Sequence, residues 1–241
     1  FVYAGAKEPA LKDISFRAMA GQTIGVIGGT GSGKSTLVNL IPRFYDAASG
    51  QVLVDGTDVR EYSLDELRDK TGVVPQKSVL FKGTLRDNMR WGKQDASDEE
   101  IYRALDTAQA REFVDSKGEG LDLYIDQGGH NLSGGQRQRL TIARALVRKP
   151  EILIMDDSAS ALDYATDARL RKAIRENTGD MTVFIVSQRA TTIKSADTIL
   201  VLDEGRLAGM GTHKELLKDC QVYREICLSQ LSKEEVERDE Q

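Results

Sequence analysis

The stretch "TIGVIGGTGSGKSTLVNLI", residues 23–41, joins an apolar strand pattern to a glycine-rich loop and then to a helical pattern. Residues 28–35, "GGTGSGKS", match G-x-x-x-x-G-K-[ST] in the strand–loop–helix context that this motif requires. Glycines let backbone N–H groups curl around phosphates, and the N-terminus of the following helix adds partial positive charge. The stretch therefore predicts an α/β core with a phosphate-binding loop after its first strand.

The motif assigns a role to each residue of this loop. Lys34 is expected to reach the β- and γ-phosphates of ATP, and the Ser35 hydroxyl to ligate Mg²⁺. The residues expected to contact ATP are Gly28, Gly29, Thr30, Gly31, Ser32, Gly33, Lys34, Ser35 and Thr36. A glycine-rich turn without a ligand is the competing interpretation, and the order of strand, loop and helix argues against it.

A second motif, "ILIMDDSASALD" at residues 152–163, has the pattern of a buried strand that ends in two adjacent carboxylates. Ligands of open α/β sheets bind at the carboxyl ends of the strands, where Asp156 stands. We expect the Asp156 carboxylate to hold Mg²⁺ through water. The second carboxylate, Asp157, raises the question of whether the chain hydrolyses ATP by itself.

Composition excludes several classes of function. The 241 residues include 38 acidic and 33 basic residues, for a net charge of −5, so the basic surface needed for nucleic-acid backbones is missing. No apolar run approaches the length of about 20 residues that spans a bilayer. The two cysteines, Cys220 and Cys227, are expected to be buried or idle thiols. Because the chain begins at Phe1 without a methionine, we expect it to be a fragment of a longer protein.

Periodicity divides the chain into four parts. Residues 1–79 alternate strand and turn signals from "LKDISFRAM" to "TGVVPQ" and are expected to form the first part of the core, with an early β-layer. Residues 80–148 show helical spacing and predict an inserted helical subdomain. Residues 149–230 return to strands that alternate with helices, the second part of the core. The charged tail, 231–241, is expected to be a frayed helix end or disordered.

The stretch "LSGGQRQRL", residues 132–140, resembles the signature of ATP-binding cassette (ABC) proteins, and the other motifs follow that family's order over residues 1–230. The resemblance implies a P-loop NTPase (RecA-like) core with an N-terminal antiparallel β-layer and an inserted helical subdomain. It makes Gln76 the Q-loop residue, which senses Mg²⁺ and the γ-phosphate, although an ordinary loop residue is the plainer interpretation. The signature residues are Leu132, Ser133, Gly134, Gly135 and Gln136, and the D-loop residues are Ser160, Ala161, Leu162 and Asp163.

Three further features follow from the resemblance. Tyr3, 25 residues before Gly28, falls where the family stacks an aromatic ring on adenine, and Phe1 competes for that role. The segment "LFKGTLRDNM" resembles the exporter branch, where it follows the contact with transmembrane helices. Ser133 sits at a helix N-cap before two glycines, which makes a second anion site, and a simple cap remains compatible with it. In the family this signature completes the ATP site of a partner in a head-to-tail dimer.

Two positions depart from the family pattern. Asp157 replaces the glutamate that polarises the attacking water, and Gln188 replaces the switch histidine. Aspartate keeps the charge but withdraws the carboxylate by about 1 Å, a displacement that can cost about 100-fold in rate. Gln188 can donate a hydrogen bond but cannot relay a proton. A tolerated substitution or an introduced mutation would each account for Asp157, but neither accounts for Gln188 as well.

The two departures resemble the degenerate subunit of heterodimeric ABC exporters. The resemblance implies that this chain binds ATP and Mg²⁺, that Asp157, Gln188 and Gln76 form an impaired catalytic set, and that its signature serves the partner subunit. It also implies contact with transmembrane coupling helices at the cytoplasmic face of the membrane. A slow homodimeric exporter ATPase and a regulatory subunit that binds ATP without hydrolysing it are the alternatives.

Overall fold

A computed structural model of the chain describes residues 1–158 and 160–240. The strands of this described part are β1 Thr23–Gly28, β2 Leu53–Val54, β3 Thr57–Asp58, β4 Thr71–Val74, β5 Gly83–Thr84, β6 Tyr124–Ile125, β7 Ile152–Asp156, β8 Thr182–Val186, β9 Thr198–Asp203 and β10 Arg206–Gly211. Its α-helices are α1 Lys34–Asn39, α2 Leu64–Lys70, α3 Leu85–Arg90, α4 Asp98–Thr107, α5 Arg111–Ser116, α6 Gly134–Val147, α7 Tyr164–Asn177, α8 Ala190–Ile193, α9 His213–Asp219, α10 Gln221–Leu228 and α11 Lys233–Glu240. Two compact units contain these elements, residues 1–71 with 182–241 and residues 72–181.

The first unit is built on the strands β10, β9, β1 and β8, in that order. β1 runs parallel to both β8 and β9, and β10 is antiparallel to β9, with which it forms a hairpin. Ile24, Val26 and Ile27 of β1 are fully buried, which is typical of a strand covered on both faces. The α/β class expected from the sequence is confirmed.

A close helix contact determines one residue of β1. A Cβ atom placed on Gly25 would lie 2.9 Å from the Ile193 Cβ in α8, so only glycine lets this helix approach the strand. At its carboxyl end β1 leads directly into the phosphate-binding loop and α1. The strand thus positions the loop at the edge where open α/β sheets bind ligands.

The second unit holds β4 and β7 as neighbouring strands and most of the predicted helical region. Residues 80–148 contain α3 to α6 together with the short β5–β6 pair. Helix α6 carries the signature at its start and buries Leu140, Ile142 and Ala143. Its apolar face packs against α3 and α4. The signature is therefore the exposed end of a helix that is otherwise well anchored.

The early β-layer differs from the expectation. Residues 11–19 alternate partly buried and exposed positions, as a strand would, but they form no strand. Their backbone bonds instead to loops, for example from the Lys12 N–H to the Gly205 oxygen at 2.8 Å. The antiparallel pairing in residues 1–79 is the short β2–β3 hairpin. Alternating burial thus arose without a hydrogen-bonded partner strand.

In the charged tail, expected to be a frayed helix end or disordered, residues 233–240 form α11. Ser232 caps this helix by exchanging hydrogen bonds with Glu235. Val236 is 1 % exposed, and the Asp239 carboxylate lies 3.4 Å from both His213 Nε2 and Lys194 Nζ. Gln241, the last residue of the predicted tail, and Ala159 lie outside the described residues.

Two stretches with a helical apolar pattern are each divided into two helices. The helical pattern of residues 97–116 breaks between α4 and α5 at Gln109, which has a positive φ of 57°. The helical pattern from His213 to Leu231 breaks at Cys220, whose extended backbone separates α9 from α10. Cys220 and Cys227 are both buried free thiols, as predicted. Local turns of this kind interrupt a helix without changing its apolar periodicity.

Candidate functional site

The phosphate-binding loop has the backbone geometry of an anion cradle. Gly33 has φ 96° and forms the N-cap of α1, a conformation that favours glycine. A Cβ atom on Gly28 would collide with the Leu202 carbonyl oxygen. The Lys34 ammonium donates to the carbonyl oxygens of Gly28 and Gly29, at 3.0 and 2.7 Å. The lysine is thus folded over the start of the loop.

The loop residues fit the phosphates of a nucleotide. Cβ atoms on Gly29 or Gly31 would meet nothing within 4 Å, so the backbone of these residues borders open space. Ser32 is 4 % exposed, and its buried hydroxyl has no hydrogen-bond partner. Thr30 and Ser35 are exposed, whereas Thr36 is buried. An orphaned buried hydroxyl beside open backbone is the arrangement that an oxygen-rich anion would satisfy.

Tyr3 is tied to this loop by its hydroxyl, which lies 2.7 Å from the Thr36 Oγ1. Its ring is 38 % exposed and packs edge-on against Phe1 and Tyr45, with centroids 4.7 and 5.3 Å away. The aromatic residue proposed for adenine stacking therefore stands next to the phosphate-binding loop. Phe1 belongs to the same cluster, so the two candidates remain adjacent alternatives.

The paired carboxylates lie where β7 ends. Asp156 is its last residue and is half-buried, whereas Asp157 has a positive φ of 46°. The Gln76 side-chain amide donates to the Asp157 Oδ2 at 3.1 Å. Ser158 is 2 % exposed, and its buried hydroxyl has no partner. The fold thus brings together Gln76 and Asp157, two of the three residues predicted to act in catalysis.

The signature begins α6 with a reciprocal cap. The Gln136 N–H donates to the Ser133 Oγ at 3.2 Å, and the Ser133 N–H donates to the Gln136 Oε1 at 3.0 Å. The comparable caps of α2, α3, α4 and α9 use Glu or Asp in place of Gln136, whereas the first turn of α6 has no acidic residue. The N-terminus of α6 therefore keeps its partial positive charge uncompensated. Leu132 is buried beneath it.

The D-loop adjoins the signature within the same unit. A Cβ atom on Gly135 would lie 3.3 Å from the Ala161 oxygen, so this glycine permits the close approach. Asp163 caps α7 by accepting from the Thr166 N–H at 2.9 Å, a bond that holds the pKa of this carboxyl below its usual range. Leu162 is buried and Ser160 is exposed. Asp163 is therefore an ionised helix cap.

The switch position, Gln188, is exposed just after β8. Sequence reasoning missed a second glutamine there, Gln230, whose side-chain amide hydrogen-bonds the backbone on either side of Arg189. Gln230 is 42 residues from Gln188, and no motif marks it. Only the folded positions of α8 and α10 reveal this contact.

Residues 1–158 and 160–240 contain neither a cluster of metal-ligating side chains nor a membrane-spanning helix. No three His, Cys, Asp or Glu side chains are grouped so that they could hold a metal ion. None of the helices there is long and apolar enough to cross a membrane. The predicted Mg²⁺ ligands Ser35, Gln76 and Asp156 include a single carboxylate, so they would hold the ion only with phosphate oxygens and water.

Comparisons with known proteins identify the family. A family model described as ABC transporter matches residues 11–160. The chain is 49 % identical over 233 residues to an uncharacterised ABC transporter ATP-binding protein of Mycobacterium tuberculosis, a match that covers 95 % of this chain and 40 % of that protein. It is 43 % identical over 233 residues to an ATP-dependent lipid A-core flippase of Haemophilus influenzae, covering 96 % of this chain and 40 % of the flippase.

A solved structure has the same fold. It is described as a bacterial Atm1-family ABC exporter with ATP bound, and it matches with a TM-score of 0.88 and 38 % identity over 93 % of this chain and 40 % of that one. The chain therefore spans about 40 % of the length of these relatives. From the matched motifs and the shared fold, the chain belongs to the ABC transporter family as an ATP-binding domain of the exporter type.

Proposed function

We propose that this chain is the nucleotide-binding domain of a heterodimeric ABC exporter, with an impaired ATP site of its own. It binds MgATP, pairs head to tail with a second subunit, and contributes its signature to that partner's productive site. Export across the membrane follows from dimerisation of the two domains at the cytoplasmic face. The transported substrate is left open, because transmembrane segments would select it.

The observation that carries this proposal is the state of Asp157. The position expected to polarise water holds the shorter carboxylate, and Gln76 donates a hydrogen bond to one of its oxygens. A general base must reach the proton that it removes, and a carboxylate that is shorter by one methylene and already occupied reaches less far. This site is thus suited to holding ATP more than to splitting it.

The other residues keep the roles of an ATP-binding site. Lys34 would neutralise the β- and γ-phosphates, and Ser35 and Asp156, with Gln76, would hold Mg²⁺. The ion, when bound, supplies charge neutralisation at the phosphates. Gln188 would donate an amide hydrogen bond to the γ-phosphate. Tyr3 would stack on adenine, a contact worth about 1–3 kcal/mol.

The signature supports the asymmetric arrangement. All five of its residues match the family pattern, and α6 begins without the acidic residue found in the first turn of α2, α3, α4 and α9. An uncompensated helix N-terminus attracts a phosphate brought by a partner. An intact signature beside an impaired catalytic position fits a chain whose main catalytic service is to the other site.

An exposed aromatic patch supports the contact with transmembrane coupling helices. The patch consists of Val79, Phe81 and Trp91, which are 42, 38 and 69 % exposed. The rings of Phe81 and Trp91 lie 4.9 Å apart, and Arg144 lies over Phe81 at 5.7 Å. Clustered exposed aromatic residues next to an arginine are typical of a protein–protein contact.

The proposal predicts an unequal effect of two substitutions in the intact transporter. Asp157→Ala should leave roughly half or more of the steady-state ATP hydrolysis, because the productive site uses the partner's catalytic residues. Ser133→Ala should lower hydrolysis on the order of 100-fold, because it removes a group that faces the transferred phosphate. Hydrolysis by purified transporter at saturating MgATP is the measurement.

A matched control separates this effect from the loss of a helix cap. Ser97 caps α4 with Glu100 in the same way that Ser133 caps α6. Ser97→Ala should lose a comparable stability of about 1 kcal/mol and leave hydrolysis unchanged. The reverse ranking, with Asp157→Ala inactive and Ser133→Ala active, would show that this chain's own site is the productive one, whereas loss of hydrolysis in both variants would indicate a homodimeric exporter.

A further inference from the structure

Side chains hold much of the backbone of the switch loop, residues 187–190. The Ser187 Oγ accepts from the Arg189 N–H at 3.0 Å. The Gln230 amide donates its N–H to the Gln188 carbonyl oxygen at 2.7 Å, and its carbonyl oxygen accepts from the Ala190 N–H at 2.9 Å. One side chain therefore bonds main-chain groups on both sides of Arg189. The chain direction at Gln188 is set by these contacts.

Gln230 is itself fixed by the helices on either side of it. The backbone N–H of Gln230 donates to the backbone carbonyl oxygen of Cys227 at 3.0 Å, a bond that continues the last turn of α10. Two residues later Ser232 caps α11, whose Val236 is buried. The amide of Gln230 thus projects from a short turn between two packed helices.

The same C-terminal segment also holds the far end of α8. The Asp239 carboxylate of α11 lies 3.4 Å from the ammonium of Lys194, which follows the last residue of α8. Ala190 and Ile193 of α8 are fully buried, and Ile193 packs against Gly25 of β1. Contacts from residues 230–240 therefore reach both ends of this short helix.

We infer that Gln230 is a positioning residue for Gln188, and that the segment 230–240 sets how the switch loop faces a γ-phosphate. The inference rests on the proposed role of Gln188 at this chain's own ATP site. A glutamine donates through one planar amide, so its hydrogen bond depends on the direction of the backbone that carries it. Holding the Gln188 carbonyl and the Ala190 N–H fixes the peptide planes around that residue.

The test compares variants of two exposed glutamines in the full-length transporter that contains this chain. Gln230→Ala removes both hydrogen bonds to the loop. Gln230→Glu keeps an acceptor for the Ala190 N–H but loses the donor to the Gln188 oxygen. The matched control is Gln221→Ala, because Gln221 lies in α10 and bonds only Glu225 among the contacts described, at 2.8 Å. Gln188→Ala reports the role of the switch residue itself.

Two measurements are made on each variant. Photolabelling of this chain by 8-azido-ATP, with ATP or ADP as competitor in the presence of Mg²⁺, gives the ATP-to-ADP affinity ratio at this site. Hydrogen exchange of the peptide containing residues 187–193 gives the protection of the Ala190 amide. We expect both Gln230 variants to lower the affinity ratio about three- to tenfold, the effect of one or two hydrogen bonds. Gln230→Ala alone should deprotect Ala190, and Gln221→Ala should change neither quantity.

Adding Gln230→Ala to Gln188→Ala should lower the ratio no further, because both act through one group. If Gln188→Ala lowers the ratio while Gln230→Ala behaves like Gln221→Ala, the positioning role is overturned and the proposed function stands. Unchanged protection of Ala190 in Gln230→Ala overturns it as well. If Gln188→Ala itself leaves the ratio unchanged, the γ-phosphate contact of the proposed function fails first, and the positioning role falls with it.

Discussion

The backbone conformation at Asp157 restricts which residue types are favourable at this position. Its φ of 46° is in the left-handed region, which aspartate and asparagine tolerate better than most other non-glycine residues. The hydroxyl of Ser160 donates to the Asp157 carbonyl oxygen at 2.9 Å and helps to hold this turn. The residue that shortens the catalytic reach in the proposed function is thus also one that suits the local backbone conformation. The left-handed backbone at position 157 therefore favours aspartate independently of any catalytic role.

The thiol of Cys227 predicts a pH dependence of stability. Burial raises the pKa of this thiol from its ordinary value of 9.0 to about 11. Between these values the unfolded chain has lost the proton and the folded chain keeps it. The protonated, buried thiol therefore contributes its full stability to the folded chain below pH 9, and this contribution is lost as the pH rises through 11. Urea unfolding at pH 8, 9 and 10 should show a smaller decline for Cys227→Ala than for the parent chain, and equal declines would contradict this.

At the scale of elements, one capping device begins many of the helices. Helices α2, α4 and α9 start with Ser or Thr and have Glu at the third helical position, where the two residues exchange hydrogen bonds. The final helix α11 uses the same pair, Ser232 and Glu235, although its sequence is almost entirely charged. A cap, a single buried valine and the contacts of Asp239 with His213 and Lys194 dock it. The segment is thereby available to hold the switch loop.

Helix α11 predicts a stability difference between two of its positions. Val236→Ala should lower the free energy of unfolding by roughly 1.5–3 kcal/mol, because it removes two buried methyl groups. The exposed neighbour Glu237→Ala should change it by less than about 0.5 kcal/mol. Equilibrium urea unfolding of both variants is the measurement. Identical midpoints for the two variants would mean that the tail is not docked.

The elements predicted correctly are those whose signals are local. In residues 23–41, an apolar strand pattern, a glycine-rich loop and a helical pattern follow one another directly, and together they match one motif. The contact of Gln230 with Gln188 spans 42 residues and depends on where α10 ends, so no window of sequence contains it. Val236 is a lone apolar residue among charges and shows no periodicity, which is why the docking of α11 was not predicted. The domain boundaries and the assignments of the site residues remain predictions.

At the scale of the whole molecule, the chain spans about 40 % of the length of the relatives it matches. The exposed aromatic patch is a candidate for the contact with the rest. The Arg144 guanidinium beneath it donates to the Val79 oxygen at 2.9 Å, and burial lowers the pKa of this side chain. Because this half-buried cation bonds the backbone within the patch, it helps to hold the patch in a defined shape.

From the proposed role of the patch, we expect a substitution there to uncouple transport from ATP hydrolysis without weakening ATP binding. In the intact transporter, Trp91→Ala should reduce transport and the response of ATP hydrolysis to substrate by about tenfold. Tryptophans that become buried when two proteins bind are frequent hot spots of the contact. ATP affinity of this chain should stay unchanged. The control is Leu53→Ala, an exposed apolar residue of the β2–β3 hairpin with 49 % exposure. Equal effects of the two substitutions would remove the patch from the proposed contact.

The burial of both thiols has a practical consequence. Cys220 and Cys227 are the two cysteines of the chain, and neither reaches the surface. A thiolate at Cys227 is scarce near neutral pH because of its raised pKa. Single cysteines introduced at exposed positions such as Gln188 or Trp91 can therefore receive spin labels or fluorophores without first removing the native ones. Labels at such positions would then report distances from the switch loop or the aromatic patch without interference from the native thiols.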